Sequence, residues 1–279
     1  MTTPLGGAGV LYVVSTPIGN LADMTLRGLE TLRAAAVVLA EDTRHSRKLL
    51  DHFEIATPLV AHHEHNEAKT TPALVARLVA GESMALITDA GTPLVSDPGA
   101  RLVAAAIAAG VRVVPVPGAS AVLAALVAAG LPADRFTFFG FLDRKGKERQ
   151  RTIHTVRGLG HTAVLYESPN RLADTLAELR EAGLGARNAA VARELTKQFE
   201  EVRRGTVDEL ARYYSDAPPR GEIVIVIEGA PEVEVTEDVL RERARALRAG
   251  GASARDVMTV LVEELGAPRN VAYRIAQEA

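Results

Sequence analysis

The sequence contains no cysteine and no tryptophan. The absence of cysteine excludes disulfide bridges and thiolate metal sites and favours a cytoplasmic enzyme. Aromatic residues make up only 4% of the chain, so extensive platforms for base stacking are not expected. No apolar run approaches the roughly 18–20 residues that span a bilayer, and the first ten residues lack the basic segment that begins a secretory signal. These absences predict a globular, cytoplasmic protein.

The formal net charge of -3 argues against an indiscriminate binder of polyanions. Two basic clusters nevertheless interrupt the acidic background. The first lies in residues 143–151, and the second follows residue 43. Such clusters are either solvated surface or contacts for nucleic acid, and the sequence leaves both readings open. The candidates for RNA contact are Arg47, Lys48, Arg144, Lys145, Lys147, Arg149 and Arg151.

The first half of the chain alternates short, β-branched apolar runs with turn residues and helical periodicity. Because strands that are apolar throughout are buried on both faces, this pattern predicts a parallel sheet covered by helices. Ligands of such sheets bind beyond the carboxyl ends of the strands, where the loops converge. The predicted strands are residues 10–15, 37–42, 84–89 and 111–116.

After residue 132 several strands follow one another without a helix, which predicts a mixed, mostly antiparallel sheet. Its strands are expected at residues 136–141, 162–167, 189–196, 200–206 and 222–229, with helices near 147–156 and 171–182. Residues 229–235 are typical of a linker, and three short helices follow, the middle one capped by Ser253. The predicted fold class is thus α/β with two domains, 1–132 and 133–230, and a small helical domain, 236–279.

The loops after the first-half strands lack the usual phosphate-binding patterns. Neither the P-loop spacing nor the dinucleotide fingerprint is present, and the loops around Gly91, Gly99 and Gly118 carry no Lys or Arg. Backbone N–H groups, small hydroxyls and apolar walls suit a ligand with adenine, ribose and carboxylate groups but no phosphate. S-Adenosylmethionine fits that description. The alternative is that these glycines and prolines only form tight turns.

Six ordered blocks resemble the rRNA ribose methyltransferases of the tetrapyrrole methylase superfamily, from about residue 11 to residue 229. The blocks are STPIGNLADMTLRGLETL, AEDTRHSRKLL, ITDAGTPLVSDPG, VPVPGASA, LYESPNRL and VARELTKQFEEVRRGT. One departure is Ser15, where the family pattern is expected to have glycine. The resemblance implies a two-domain methylase, usually a homodimer, with S-adenosylmethionine in the cleft between the domains. It also implies methylation of the ribose 2'-hydroxyl of cytidine 1402 in 16S rRNA of the small ribosomal subunit.

By position, the resemblance also implies a set of cofactor-binding residues. Asp89 and Asp97 would be the acids nearest to this set. The set comprises Pro17, Gly91, Thr92, Val95, Ser96, Ala119, Ser120, Ala121, Glu167 and Ala192.

Methyl transfer to a hydroxyl benefits from a general base or from a cation that stabilises the oxyanion. Charged residues at the ends of two predicted strands are the candidates, and helix capping is the alternative role of Glu41 and Asp42. The candidates are Glu41, Asp42, Arg44, Arg193, Glu194 and Lys197.

Three other readings stay open at this point. His62, His63 and His65 lie close together, but no separated fourth ligand is apparent and no metal is predicted. The terminal helices, with Arg269 and Arg274, either dock rRNA or support a dimer, or they form a passive cap. Two alternative functions are methylation of a porphyrin-like ring and non-catalytic RNA binding in subunit assembly.

Overall fold

The structure is a computed structural model, and it describes residues 8–216, 219–231 and 236–279. The chain divides into one compact unit that ends at Ala230 and a second that begins at Pro231. The first unit contains two five-stranded sheets and the second contains helices. In the described ranges, no helix combines the length and the apolar character that crossing a membrane requires.

The first sheet is entirely parallel, as predicted, with the strand order β3-β2-β4-β1-β5. Apolar side chains of alternating strand residues form a core cluster on each face, one including Val14 and Val38 and the other Leu11 and Leu39. Its strands are β1 (Val10–Val14), β2 (Val37–Ala40), β3 (Leu59–Ala61), β4 (Met84–Leu86) and β5 (Arg112–Val116). The three-residue strand β3 is one that the sequence reasoning missed.

Five α-helices follow these strands in turn; the first four pack on this sheet, and the fifth packs on the second sheet. They are α1 (Leu26–Ala34), α2 (Thr43–His52), α3 (Glu64–Val79), α4 (Ala100–Ala108) and α5 (Ala121–Ala129). Polar side chains fix where several of them begin, because an N-cap oxygen satisfies a free backbone N–H. Asp42 caps α2 by accepting from the Arg44 backbone, and Ser120 caps α5 by accepting from the Leu123 backbone.

The second sheet is mixed, as predicted, with the strand order β6-β7-β10-β8-β9. Strands β6 and β7 are parallel, and the other pairs are antiparallel. The strands are β6 (Phe136–Phe141), β7 (Thr162–Glu167), β8 (Asn188–Arg193), β9 (Glu201–Thr206) and β10 (Ile223–Ile227). The helices are α6 (Lys147–Gly158), α7 (Leu172–Leu179) and α8 (Val207–Asp216), of which α8 was not predicted.

The second unit has a small core of its own. Its helices are α9 (Glu237–Ala249), α10 (Ala254–Glu263) and α11 (Arg269–Glu278), and their buried residues include Leu240, Leu261 and Ile275. Ser253 caps α10, as predicted, in a reciprocal pair with Asp256. Part of the predicted linker, residues 232–235, lies outside the described residues. The predicted boundary at residue 132 falls between the two sheets, and the division into domains stays a prediction.

Candidate active site

A cavity of about 350 Å³ lies between the two sheets, within the size range of small-molecule sites. The first sheet contributes the loops at the carboxyl ends of its strands. The second contributes one edge, where β7 and β8 end and β10 begins, because Ile223 is paired with both Glu167 and Arg193. The lining residues are Ile18, Ala90, Gly91, Thr92, Val95, Ser96, Asp97, Ser120, Ala121, Phe141, Tyr166, Glu167, Ser168, Pro169, Ala192, Leu195, Gly221, Glu222, Ile223 and Val224.

The loop that follows β4 has an unusual backbone. Gly91 has a φ of 84°, and the non-glycine residues Leu94 and Ser96 have φ values of 73° and 66°. Left-handed conformation costs an L-residue roughly 1–2 kcal/mol. Strain of this kind persists where surrounding contacts hold it, and it clusters at binding and catalytic sites. Here the hydrogen bonds between the backbones of Thr16 and Gly91, 2.9 and 3.0 Å long, anchor the start of the loop.

Small hydroxyl groups join the three predicted loops to one another. The hydroxyls of Ser15 and Thr92 are 3.2 Å apart, and Thr92 also donates to the Ala119 carbonyl at 3.3 Å. Ser15, the departure from the family pattern, therefore adds a bond to the cavity-forming loop. A Cβ atom at Gly118 would lie 2.9 Å from the Ser15 Cβ, so the serine leaves no room for a larger residue at position 118.

Eight of the ten predicted cofactor residues line the cavity. The Ala119 side chain does not, but the Ala119 carbonyl holds Thr92, and Pro17 precedes the lining residue Ile18. That these residues bind the cofactor stays a prediction. The eight are Gly91, Thr92, Val95, Ser96, Ser120, Ala121, Glu167 and Ala192.

Asp97 is the carboxylate on the first-sheet side of the cavity. Burial raises the pKa of Asp97 to about 6, and the nearby charges of Glu41 and Asp89 add to the rise, while the Thr88 hydroxyl partly opposes it. Glu41 accepts a hydrogen bond from the Thr88 hydroxyl at 3.1 Å, behind the cavity wall. Asp97 is therefore a carboxyl group that gains or loses its proton near neutral pH.

The predicted catalytic residues of the first half do not line the cavity. Asp42 caps α2, the alternative role, and the hydrogen bond from the Arg44 backbone holds the pKa of Asp42 below its usual value. The Arg44 side chain is 93% exposed. Glu41 affects the cavity through its negative charge, which helps to raise the pKa of the lining residue Asp97.

The predicted catalytic residues of the second half form ion pairs beside the cavity. The Lys197 Nζ lies 2.9 Å from Glu194 Oε1 and 2.8 Å from Glu222 Oε2, and Glu222 lines the cavity. Burial acts to lower the pKa of Lys197, but these two bonds outweigh it and the pKa is raised. Lys197 therefore stays protonated and does not act as a base. Arg193 is paired with Glu201 at 3.2 Å.

Lys197 also connects the two halves of the unit. A Cβ atom at Gly19, which has a φ of 151°, would lie 2.4 Å from Lys197 Cγ. The aliphatic part of Lys197 thus crosses the cleft onto the loop after β1. Glu194 and Thr196, with φ values of 51° and 65°, hold the segment in this path.

Two aromatic rings of the second sheet were missed by the sequence reasoning. Phe141 is 58% exposed, and its ring centroid lies 5.4 Å from that of Tyr166. Burial and the charges of Asp97 and Glu222 raise the pKa of Tyr166 to about 12, so its hydroxyl stays neutral. Tyr166 lies within the LYESPNRL block, so the sequence contained a signal for it. Phe141 lies in a strand that matched no motif.

The basic segment of residues 143–151 separates into two kinds of residue. Arg144, Lys145 and Lys147 are exposed, with no carboxylate within 4 Å among the residues that the structure describes. The prediction that Arg149 contacts RNA is corrected by the structure. Arg149 is 3% exposed and bonded to Glu178 at 2.9 Å, because it lies on the face of α6 that packs against α7.

The remaining RNA candidates are all at the surface, but two of them are paired. Arg151 is paired with Glu148 at 2.7 Å, and Arg47 lies 3.9 Å from Asp51, whereas Lys48 is exposed.

The histidines of residues 62–65 have separate surroundings. His62 is buried, with Nδ1 at 3.0 Å from the Thr70 hydroxyl, and burial lowers its pKa. His63 is the N-cap residue of α3. The described part of the chain contains no group of three or more side chains that together could hold a metal ion.

The family model for the tetrapyrrole (corrin/porphyrin) methylases matches residues 10–211. The chain belongs to the tetrapyrrole methylase family. Membership makes it a methyltransferase that uses S-adenosylmethionine, as predicted. The predicted α/β fold class is likewise confirmed.

Relatives of this family member extend over most of its length. It is 45% identical over 97% of the chain to the ribosomal RNA small subunit methyltransferase I of Synechocystis, covering 98% of that protein. It is 50% identical to the protein of the same name from Pseudomonas aeruginosa, over 86% of each chain. A solved uroporphyrin-III C-methyltransferase from Thermus thermophilus, complexed with S-adenyl homocysteine, is 22% identical, with a TM-score of 0.56 over 79% of this chain and 97% of that chain.

The lining residues fit this cofactor. Its adenosine and sulfonium groups carry no phosphate, and none of the described lining residues is Lys, Arg or His. The charged lining residues are acidic, namely Asp97, Glu167 and Glu222, which suits a positively charged sulfur. A Cβ atom at the lining residue Gly221 would lie 2.3 Å from Glu194 Oε1, so any larger residue at position 221 would clash with the Glu194 carboxylate.

Proposed function

We propose that this methyltransferase modifies ribosomal RNA of the small subunit, at the ribose 2'-hydroxyl of cytidine 1402 in 16S rRNA. The observation that carries the proposal is a cation-free cavity in a chain whose relatives, 45–50% identical, are named for methylation of that RNA. The names support the RNA substrate. The position and the hydroxyl come from the resemblance of the six sequence blocks.

S-Adenosylmethionine, when bound, supplies a methyl group that is already activated by its positively charged sulfur. The protein therefore has to align the substrate hydroxyl and exclude water. Thr92 and Ser120 offer hydroxyl groups to the cofactor, and Gly91 offers backbone groups without a side chain in the way. The remaining predicted cofactor residues, Pro17, Val95, Ser96, Ala119, Ala121, Glu167 and Ala192, complete the site.

Asp97 accepts the proton of the 2'-hydroxyl in this proposal. It is the acidic lining residue whose pKa is raised to about 6, so it is ionised at neutral pH and still has appreciable affinity for a proton. General base catalysis of this kind contributes about 10²- to 10⁴-fold. Glu41, one of the predicted catalytic residues, acts through Asp97, because its charge strengthens the affinity of Asp97 for a proton.

Lys197, Glu194 and Arg193 position the wall of the cavity. Lys197 holds Glu222 at 2.8 Å, and its chain packs on Gly19 across the cleft. The pairing balances one of the two carboxylate charges beside the cavity and keeps the second sheet close to the first. These residues therefore shape the cavity and do not exchange protons with the substrate.

Arg144, Lys145 and Lys147 bind RNA phosphates in this proposal, with Lys48 as a further contact. Each is exposed, so the guanidinium or ammonium group is available to a polyanion. The substrate is the RNA within the small ribosomal subunit, which places the enzyme in the cytoplasm. A homodimer is supported by α5, which exposes Leu123 and Val127 one helical turn apart.

Transfer of labelled methyl groups tests the function. Small subunits from a strain that lacks the endogenous enzyme are incubated with the pure protein and labelled S-adenosylmethionine, and the modified nucleotide is mapped. We expect one 2'-O-methylated cytidine. Transfer to a porphyrin-like ring and not to subunits would contradict the proposal, and so would RNA binding by a folded protein without any transfer.

A further inference from the structure

A second cavity, of about 560 Å³, lies beside the cofactor cavity. The two share Phe141 and Ser168, so this pair forms the wall between them. The second cavity is lined mainly by charged and amide side chains, including Arg144, Asn170, Arg171 and Asp174. It therefore offers hydrogen-bond donors and acceptors where the cofactor cavity offers mostly apolar surface.

Some of these polar groups are already committed to the protein. Arg149 is bonded to Glu178 at 2.9 Å and to the Thr175 hydroxyl at 2.9 Å. Arg171 donates to the carbonyls of Leu142 and Asp143 at 2.7 and 3.1 Å. These bonds fix the floor of the cavity and leave little capacity for a ligand.

Three polar side chains of the cavity have no partner among the described residues, and one of them is the exposed Arg144. Asn170 and Asp174 are exposed and make no side-chain hydrogen bond or ion pair within the described ranges. Asn170 lies in a short 3-10 turn just before α7, Asp174 lies in the first turn of α7, and both line the cavity. One offers an amide donor and the other a carboxylate acceptor.

Phe141 completes the second cavity with an exposed apolar ring. The register of β6 against β7 shifts between Phe138 and Phe141, and Gly140 has a φ of 66°. Irregularities of this kind re-aim a side chain at the end of a strand. The Phe141 ring is 58% exposed, although burial of an apolar ring would be more favourable. Proteins that bind single-stranded RNA stack bases on exposed aromatic rings.

We propose that the second cavity holds the base of the target cytidine, with Phe141 stacked on the ring, Asp174 accepting from the amino group and Asn170 donating to the carbonyl oxygen. This inference rests on the proposed function and adds the residues that select the base. A carboxylate is the acceptor that the cytosine amino group calls for, whereas uracil presents an oxygen at that position and is repelled. With the base there, the shared wall brings the ribose next to the cavity that contains Asp97.

The test compares kcat/KM on subunits that carry cytidine or uridine at the target position. The wild-type protein is expected to prefer cytidine. Asp174→Asn replaces an acceptor by a group that also donates, so it lowers kcat/KM on cytidine by about 5- to 150-fold and reduces or reverses the preference over uridine. Phe141→Ala lowers kcat/KM on both substrates by a similar factor, and Phe141→Tyr, which keeps the ring, restores it.

Controls separate this inference from the function on which it rests. Binding of S-adenosylhomocysteine, measured by calorimetry, is expected to be unchanged in Asp174→Asn, because Asp174 lies outside the cofactor cavity. Glu181→Gln, which alters an exposed carboxylate outside both cavities, is expected to behave as wild type. If the wild-type protein methylates cytidine and Asp174→Asn keeps the full preference over uridine, the base pocket is wrong and the function stands. If the folded wild-type protein methylates neither substrate, both are wrong.

Discussion

Asp97 lies in a wall where most neighbours are apolar or hydroxyl groups and the nearest charges are other carboxylates. Water alone would leave an aspartate almost fully ionised at pH 5, whereas burial and the charges of Glu41 and Asp89 favour its protonated form. The same surroundings that make Asp97 a better base also make its charge costly to the folded protein. Two consequences can be measured separately.

The first consequence concerns activity. With Asp97 as the base, kcat/KM is expected to rise with pH and to level off above about pH 6, where its carboxyl group is ionised. Asp97→Asn is expected to lower kcat/KM by about 10²- to 10⁴-fold and to abolish this rise. Methyl transfer to subunits between pH 5 and 8.5 provides the measurement. A wild-type profile that is flat through pH 6 would contradict the assignment.

The second consequence concerns stability and has the opposite sign. The pKa of Asp97 is higher in the folded than in the unfolded chain, so stability is lost as pH rises from about 4 to 6. Asp97→Asn removes this loss and is expected to raise the free energy of unfolding by about 1–2 kcal/mol at pH 7.5. Urea unfolding at pH 4 and 7.5 checks it. The gain should be small at pH 4, and equal gains at both values would refute the explanation.

The sequence predicted eight of the twenty described lining residues as cofactor contacts, but not the distribution of roles within the cavity. Gly91, Thr92 and Ser120 belong to ordered blocks that can be read directly from the chain. The role of Asp97 depends on how deeply it is buried and on the charges of Asp89, in the same loop, and Glu41, after β2, which a linear pattern does not contain. Asp42 has the capping role that was its alternative, because a capping residue and a catalytic acid look alike beyond a strand.

Among the elements, α6 shows how one basic segment serves two purposes. Arg149 faces α7, where it is bonded to Glu178, Thr175 and the Asp143 carbonyl. Arg144, five residues earlier, is exposed. Arg144 precedes α6, whose first residue is Lys147, whereas Arg149 lies on the face of α6 that packs against α7.

The two arginines are expected to differ in their effect on stability. Arg149→Ala leaves the partly buried carboxylate of Glu178 without its ion-pair partner and removes the hydrogen bond to the Thr175 hydroxyl, so it should lower the free energy of unfolding by about 3 kcal/mol. Arg144→Ala, its matched control, should change stability by less than about 0.5 kcal/mol. Urea denaturation of both variants measures the difference. Equal effects would show that Arg149 is not a structural residue.

Three elements escaped the sequence reasoning, for different reasons. Helix α3 begins within the histidine-rich segment and contains Pro72, which interrupts a helical sequence pattern. Strand β3 has only three residues, too few to show a period. Helix α8 begins at Val207, directly after the last residue of β9, so no loop marks the boundary. A signal was nevertheless present, since Thr206 and Glu209 form a reciprocal capping pair, with bonds of 2.8 and 3.2 Å, before an apolar run.

At the scale of the molecule, the buried clusters divide at the boundary between the two units. Each cluster of the first unit draws only on residues before Ala230, and the cluster of the second only on residues from Leu240 onward. Deleting residues 236–279 is therefore expected to leave a folded protein with unchanged calorimetric affinity for S-adenosylhomocysteine. Loss of that binding would contradict this expectation. Methylation of subunits by the shortened chain then distinguishes RNA docking from a passive cap.

The charge of the whole molecule bears on its dependence on salt. A chain of net charge -3 gains little from general attraction to RNA, so binding should depend on local clusters of exposed cations. Neutralising Arg144, Lys145 and Lys147 together should weaken subunit binding and reduce the slope of log K against log salt by about 2. Filter binding at several salt concentrations checks this. An unchanged slope would remove these residues from the interface.

The cavity between the sheets also bears on competition inside the cell. ATP shares its adenosine with the methyl donor and is abundant, yet its triphosphate would enter a space whose charged lining residues, Asp97, Glu167 and Glu222, are all negative. Glu167 is paired with Arg171 at 3.4 Å and Glu222 with Lys197 at 2.8 Å, but none of the described lining residues is itself a cation. A triphosphate would therefore lose its water without gaining a Lys, Arg or His partner. We expect ATP to compete poorly with the methyl donor for this cavity.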